Sequence, residues 1–169
     1  MILVTGTSGL AKGIAAAYNN VTCVSRRTGH NINDVSSWGE QFLNYNVVYN
    51  NAYDAFGQVA VLEFFFNHWK DDVTKTIISI GSRAVIASRS EISRDAEYWP
   101  YRLHKQALSM AHDTMIKTAK CRMLIVNPGA IDTEMVQHLQ MPKLDVYELG
   151  VKLKQYEEDT LIRRIDLWL

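Results

Sequence analysis

Apolar residues in this chain come in short unbroken runs, separated by stretches with helical spacing. The runs are "MILV", "VTCV", "NVVY", "TIISI" and "MLIV", and the more polar "TLIRRIDLWL" near the end predicts a last strand. Runs of this length without polar alternation predict strands covered on both faces. Between them, "LAKGIAAAYNN" is alanine-rich and predicts a helix stopped at Asn19 and Asn20. "FGQVAVLEFFFNHWKDD" predicts a helix apolar almost all round, buried on more than one side. "YRLHKQALSMAHDTMIKTAK" predicts a long helix, and "LDVYELGVKLKQYEED" a last one. "TGHNINDVSS" predicts a turn containing a brief strand, and residues 86–97 a polar loop. Strands and helices alternate from end to end. The expected architecture is α/β, a doubly wound parallel sheet in three layers, forming a single domain over residues 1–169. Its ligand belongs at the carboxyl ends of the strands.

Composition narrows the function classes. Hydrophobic residues make up 47% and charged ones 21%, ordinary globular usage. Eighteen basic residues balance eighteen acidic ones, which argues against a nucleic-acid footprint or a polybasic membrane patch. Cys23 and Cys121 each sit in an apolar run and read as buried thiols in a reducing compartment, so a cytoplasmic location is expected. No Cys or His pair has ligand spacing, so no metal site is expected. The apolar start breaks at Thr5 and Gly6, without the basic and hydrophobic regions of a signal peptide. "VAVLEFFF" is interrupted by Glu63 and followed by Asn67 and His68, so no membrane span is predicted.

The glycine-rich "VTGTSGLAKG" is the first candidate site. A triphosphate loop needs glycine before its lysine and a hydroxyl after it; here those places hold Ala11 and Gly13. A dinucleotide turn needs a strand, small residues and a helix whose first N–H groups face the pyrophosphate, and that context is present. Gly6 and Gly9 fit, while Gly13 falls one place late and Lys12 takes its usual spot. An ordinary strand-to-helix turn would look much the same. The end of the second strand shifts the balance, because Ser25 stands where an NAD site would carry an acid for the ribose diol. Arg26 and Arg27 follow it and can bond a 2′-phosphate, predicting NADP(H) over NAD(H), with Lys12 able to help from the other side.

Tyr101 and Lys105 lie four apart at the start of the long helix, hence on one face. A tyrosine ordinarily titrates near 10; a neighbouring ammonium and a positive nicotinamide favour its phenolate and fit it for acid–base work. Tyr98 is a decoy, since its partner at the same spacing is Arg102, which does not switch protonation state. Ser82 ends "TIISIGS" and offers a hydroxyl to a carbonyl oxygen that gains charge as hydride arrives at carbon.

Together these stretches resemble the short-chain dehydrogenase/reductase family. "TGTSGLAKG" is similar to its glycine turn, "NDVS" (Asp34, Val35) to its adenine-side step, and "NNAY" to its NNAG, with Tyr53 in place of the glycine. "SIGS" matches its strand-end serine, "YRLHK" its YxxxK, and "NPGAIDT" its PGxxxT, all in the family's order across residues 4–133. The resemblance implies Tyr101 as general acid–base, Lys105 on the nicotinamide ribose and tuning Tyr101, and Ser82 orienting the carbonyl. It places Gly6, Thr7, Ser8, Gly9 and Leu10 along the pyrophosphate and adenosine, Asp34 at the adenine amine, and Asn51 and Ala52 at the adenosine ribose. Pro128, Gly129, Ile131 and Thr133 would flank the carboxamide and phosphates.

The departures are specific. Nineteen positions separate Ser82 from Tyr101, longer than usual, and the family's relay asparagine has no obvious counterpart: its place falls near Asp54, and Asn67 comes too late. Substrate choice would sit in residues 84–99 and 134–145, with Tyr98, Trp99 and Met135 as apolar walls. The implied activity is hydride transfer between NADP(H) and a small-molecule carbonyl/alcohol pair, in a homodimer or homotetramer packed through the "VAVLEFFFNHW" and YxxxK helices. The alternative is a sensor or scaffold that keeps the coenzyme fold without turnover; a nucleotide kinase survives only through the glycine loop.

Overall fold

Neighbouring residues of each strand face opposite sides of the sheet, and both sides are covered. The computed structural model describes residues 1–85, 98–138 and 140–167. The strands are β1 (Ile2–Thr5), β2 (Val21–Val24), β3 (Val47–Asn50), β4 (Thr76–Ile80), β5 (Arg122–Asn127) and β6 (Arg164–Asp166). All pair in parallel, in the order β2-β1-β3-β4-β5-β6, with Val4 beside Cys23 and Tyr49, and Ile78 beside Tyr49 and Leu124. Leu3, Val48, Ile77, Met123 and Ile125 build the core on one face, under helices α2 (Gly57–Trp69) and α3 (Tyr98–Met115). Val4, Tyr49, Ile78, Leu124 and Val126 build it on the other, under α1 (Leu10–Ala17) and α4 (Val146–Glu158).

The largely apolar α2 is buried as its sequence predicts. Val61, Leu62, Phe65 and Trp69 are buried, while Phe64 packs on Gly39 of the preceding segment. That segment departs from expectation: "TGHNINDVSS" contains no strand. Residues 26–42 form three 3₁₀ turns, Arg26–Thr28, Ile32–Ser37 and Gly39–Phe42. Its buried residues Ile32, Val35, Trp38 and Phe42 recur every three or four positions, a period that suits a 3₁₀ face and not a strand. They cover α2, so the first half of the sheet lacks the third strand of a Rossmann half.

On the opposite face α1 and α4 cross in close contact. A Cβ on Gly13 would lie 1.9 Å from the Val146 carbonyl oxygen, and one on Gly150 2.2 Å from that of Gly13. The glycine that falls one place late therefore serves helix packing, not the glycine turn. Asp145 caps α4 by accepting from Tyr147 N and Glu148 N (2.8 and 2.9 Å). The Arg122 guanidinium closes the other end, donating to the carbonyls of Tyr156, Glu157 and Asp159, where the helix dipole is negative. Among the described residues no helix is long and apolar enough to cross a membrane.

Candidate active site

The carboxyl ends of β1, β3, β4 and β5 run into four loops that the structure ties together. Gly6 and Gly9 have φ of +108° and +54°, a region that favours glycine. A Cβ on Gly6 would meet Asn51 Nδ2 at 2.9 Å and one on Gly9 Thr133 Cγ2 at 3.2 Å, so the turn presents bare backbone between these loops. The first turn of α1 has neither a side-chain cap nor an acidic residue, which leaves its dipole to an incoming anion, while Ala11 N and Lys12 N already donate to the Ser8 and Gly9 carbonyls (3.2 and 3.0 Å). Thr7 and Ser8 lie on this turn. Leu10 turns its side chain into the core, so only its backbone faces the loop. Lys12 is an exposed side chain already inside α1.

Thr5 is the fastening that sequence reasoning missed. This buried hydroxyl accepts from Asn51 N (2.8 Å) and Ala52 N (3.0 Å), while Asn51 Nδ2 donates to the Thr5 carbonyl (3.0 Å). The β3 loop is thereby locked beside the glycine turn. At the end of β2, Arg27 Nη2 donates to Thr7 Oγ1 (3.2 Å), and Thr7 Oγ1 donates to Ser25 Oγ (3.3 Å). Arg26 reaches across to Asp54 (3.4 Å), with side chains 73% and 33% exposed. An ion pair this wet contributes about 0–1 kcal/mol. An arginine–phosphate bond is worth about 1.5–3 kcal/mol, so a phosphate arriving here would take Arg26 from Asp54.

Asp34 is exposed on its 3₁₀ turn, accepting from Ser36 Oγ (3.2 Å), and Val35 is a core residue against α2. A cleft of about 300 Å³ beside them, lined by Asn33, Ser36, Ala60, Glu63, Phe64 and Asn67, shares only Val35 with the expected coenzyme contacts.

The Ser82 turn is held from two sides: Ser82 N donates to Asn127 Oδ1 (3.2 Å), and Arg83 N to the Pro128 carbonyl (3.0 Å). Asn127 Nδ2 in turn donates to Asp166 (2.8 Å), anchoring the turn to β6. Ser82 Oγ accepts from Ala84 N (3.2 Å), an ordinary turn contact that leaves its proton available to an acceptor. The Pro128–Thr133 loop is braced by the bridge between Ile131 and Leu144, and Thr133 reaches Gly9. Gly129, Ala130, Arg83, Met141 and Pro142 line a small cleft of about 60 Å³. Residues 86–97 and the side chains of Tyr98 and Met135 lie outside the described residues; Trp99 is 65% exposed.

On α3, Tyr101 and Lys105 share the face turned toward these loops. Lys105 Nζ lies 5.6 Å from the centre of the Tyr101 ring and 5.7 Å from that of Tyr53. The two rings meet edge to face at 4.9 Å. Tyr53 therefore stands against the acid–base pair, with its hydroxyl bonded to His104 Nδ1 (2.9 Å). Burial, then Asp54, pushes the Tyr53 phenol up. Lys105 is fully buried, and desolvation of its ammonium brings it down to about 7. Its Nζ donates to Gln58 Oε1 (2.7 Å) and the Ile80 carbonyl (2.8 Å). The polar side chain that α2 brings to Lys105 is thus Gln58, while Asp54 turns to Arg26. A signal for Gln58 existed: it is the polar residue on the buried stripe of α2, and such a residue needs a partner.

No protein-family model matches the chain, and no curated protein matches it in sequence; solved structures match it in fold. One is a short-chain dehydrogenase from Burkholderia cenocepacia J2315 in complex with NADP: TM-score 0.77, 20% identity, covering 99% of this chain and 87% of that one. A short-chain dehydrogenase/reductase from Vibrio parahaemolyticus has TM-score 0.77 at 14% identity, covering 99% and 98%. An NADH-dependent reductase responsible for alginate metabolism has TM-score 0.64 at 19% identity, covering 98% and 94%. The fold is that of the short-chain dehydrogenases/reductases.

Proposed function

We propose that the chain is an NADP(H)-dependent oxidoreductase acting on a carbonyl/alcohol pair. The observation that carries this reading is the placement of Lys105 Nζ beneath the Tyr101 ring, on the helix facing the strand end that bears Ser82. The coenzyme fits the residues present: Gly6 and Gly9 clear a cradle that a Cβ would fill, and the uncapped α1 terminus favours its pyrophosphate. Arg26 and Arg27 would hold the 2′-phosphate, Asn51 and Ala52 the adenosine ribose, and Asp34 the adenine edge. Pro128, Gly129, Ile131 and Thr133 would border the nicotinamide. When bound, the nicotinamide supplies or accepts the hydride.

The chain's own part is proton handling and positioning. Ser82 Oγ–H donates to the substrate oxygen as charge grows on it, and the Tyr101 hydroxyl delivers the proton that completes the alcohol. In the oxidative direction the Tyr101 phenolate takes that proton back. Lys105, held from water by Tyr53 and Tyr101, favours the phenolate and would bond the nicotinamide ribose of the coenzyme.

The test starts with NADPH and NADH titrations, read by quenching of the four tryptophans and energy transfer to the reduced nicotinamide. NADPH should bind more tightly, and Arg26→Ala should erase about tenfold or more of that preference. Tyr101→Phe should cut turnover of a carbonyl probe by about 10²–10⁴-fold while leaving NADPH affinity nearly unchanged. Full activity in Tyr101→Phe would overturn the mechanism; binding without turnover in the native chain would make it a sensor or scaffold.

The same reading includes a cytoplasmic homodimer or homotetramer built through α2 and α3. Its support is a stripe along α3, where Trp99, Leu103 and Met110 are 65%, 45% and 71% exposed. Light scattering should give twice or four times the 19.3 kDa chain mass, and Met110→Lys should lower it. A monomer at micromolar concentration would remove this part of the proposal.

A further inference from the structure

Gln58 makes more hydrogen bonds inside the protein than its position at a helix start requires. Its Nε2 donates to the carbonyls of Asn50 (2.8 Å) and Ile80 (3.0 Å), and its Oε1 accepts from Lys105 (2.7 Å). Its own carbonyl accepts from Asn50 Nδ2 (2.7 Å). All four residues are buried. Chemistry fixes the direction of the amide: an ammonium only donates and a carbonyl only accepts, so a turned amide would set donor against donor and acceptor against acceptor. Held by two strand ends, the amide oxygen is a stationary acceptor for a long, flexible side chain.

Among the described residues, the groups facing Lys105 are neutral. Gln58 comes from α2, the Ile80 carbonyl from β4, the Tyr53 ring from the β3 loop and the Tyr101 ring from α3. His104, next to Lys105 in sequence, bonds Tyr53, and Asp54 pairs with Arg26. The ammonium thus depends on two oxygen acceptors to stay beneath the tyrosine ring.

We propose that Gln58 is a positioning residue of the active site, whose strand-locked amide oxygen holds the Lys105 ammonium where coenzyme and Tyr101 meet it. This inference rests on the coenzyme reading above. Gln58 acts through Lys105 and touches neither substrate nor coenzyme.

The test is a double-mutant cycle on NADPH affinity at pH 7, with Gln58→Met, Lys105→Met and both together. Gln58→Met keeps length and apolar packing but removes the acceptor. It should weaken NADPH about tenfold, the size of one charge-assisted hydrogen bond. In the Lys105→Met background the same change should cost less than about twofold, because its target is gone. An equal loss in both backgrounds would mean that Gln58 only supports the fold, and would overturn the inference. Should Gln58→Met not fold, Gln58→Asn goes through the same cycle, since it stays polar but draws the acceptor back from Lys105 by one methylene. A loss of NADPH affinity confined to the Lys105 background supports the inference, and an equal loss in both backgrounds overturns it. Failure of native protein to bind NADPH at any pH is a separate result, and it would remove the functional reading beneath both.

Discussion

Lys105 and Arg26 are both cations, but their surroundings give them opposite uses. Lys105 is stripped of water, so its proton is loosely held: folded, it titrates at about 7; unfolded, near 10.5. Between those values the unfolded chain binds a proton that the folded chain has released, so stability rises with pH across that window. Urea midpoints should increase from pH 7 to 9.5 in the native protein, and Lys105→Met should flatten that rise. Arg26 stays wet and binds Asp54 weakly, which leaves it exchangeable. Asp54→Asn should therefore tighten NADPH severalfold and leave NADH unchanged, as read by fluorescence titration. A gain for both coenzymes would mean that Asp54 repels the pyrophosphate instead. The pairing of Tyr101 with Lys105 was legible in the sequence because a spacing of four puts two residues on one helix face, and the place of Ser82 followed from the end of its strand run. Gln58 stood out only as a polar residue on a buried stripe; its partners, the Asn50 and Ile80 carbonyls and Lys105 Nζ, were hidden because they come from three other elements.

Each strand and helix was visible as a period. "TIISI" gives β4 and "FGQVAVLEFFFNHW" gives α2 because a strand walled on both faces, and a helix walled on several, leave little room for polar residues. The segment after Arg27 misled for a physical reason. Its apolar residues are too sparse for a strand, and their spacing of three or four is shared by 3₁₀ turns and loops. Gly13 misled in the other direction, reading as part of the phosphate turn when its neighbour is the backbone of α4. Gly13→Ala should gain up to about 1 kcal/mol in helix propensity and still destabilise, since the new methyl meets a carbonyl oxygen it cannot displace. The expected net loss is about 1–3 kcal/mol by urea denaturation, with NADPH affinity retained once the protein is folded. Unchanged stability would mean that α1 and α4 can move apart freely.

At the scale of the molecule, the four loops at the carboxyl ends of the strands form one network fastened by Thr5, Asn127 and Gln58, with α3 packed beside it. The far end of α3 carries a different constraint. His112 is buried, with Nδ1 3.6 Å from Asp113 Oδ1 and no hydrogen-bond partner for Nε2 among the described residues, and burial outweighs the pull of Asp113 to hold its proton affinity below the usual value. Below about pH 6.5 the unfolded chain gains a proton that the folded one resists, so stability is lost on acidification. His112→Leu should remove part of the fall in urea midpoint between pH 7.5 and 5; an undiminished fall would assign it to carboxylates alone. The embrace of α1 by α4 has a consequence in time. Residues 10–17 are made well before the helix that covers them, which ends at residue 158. At ribosomal speeds α1 waits on the order of ten seconds for its partner. That face of the core stays open until α4 has been made, which makes the nascent chain, more than the finished protein, the form in need of a chaperone.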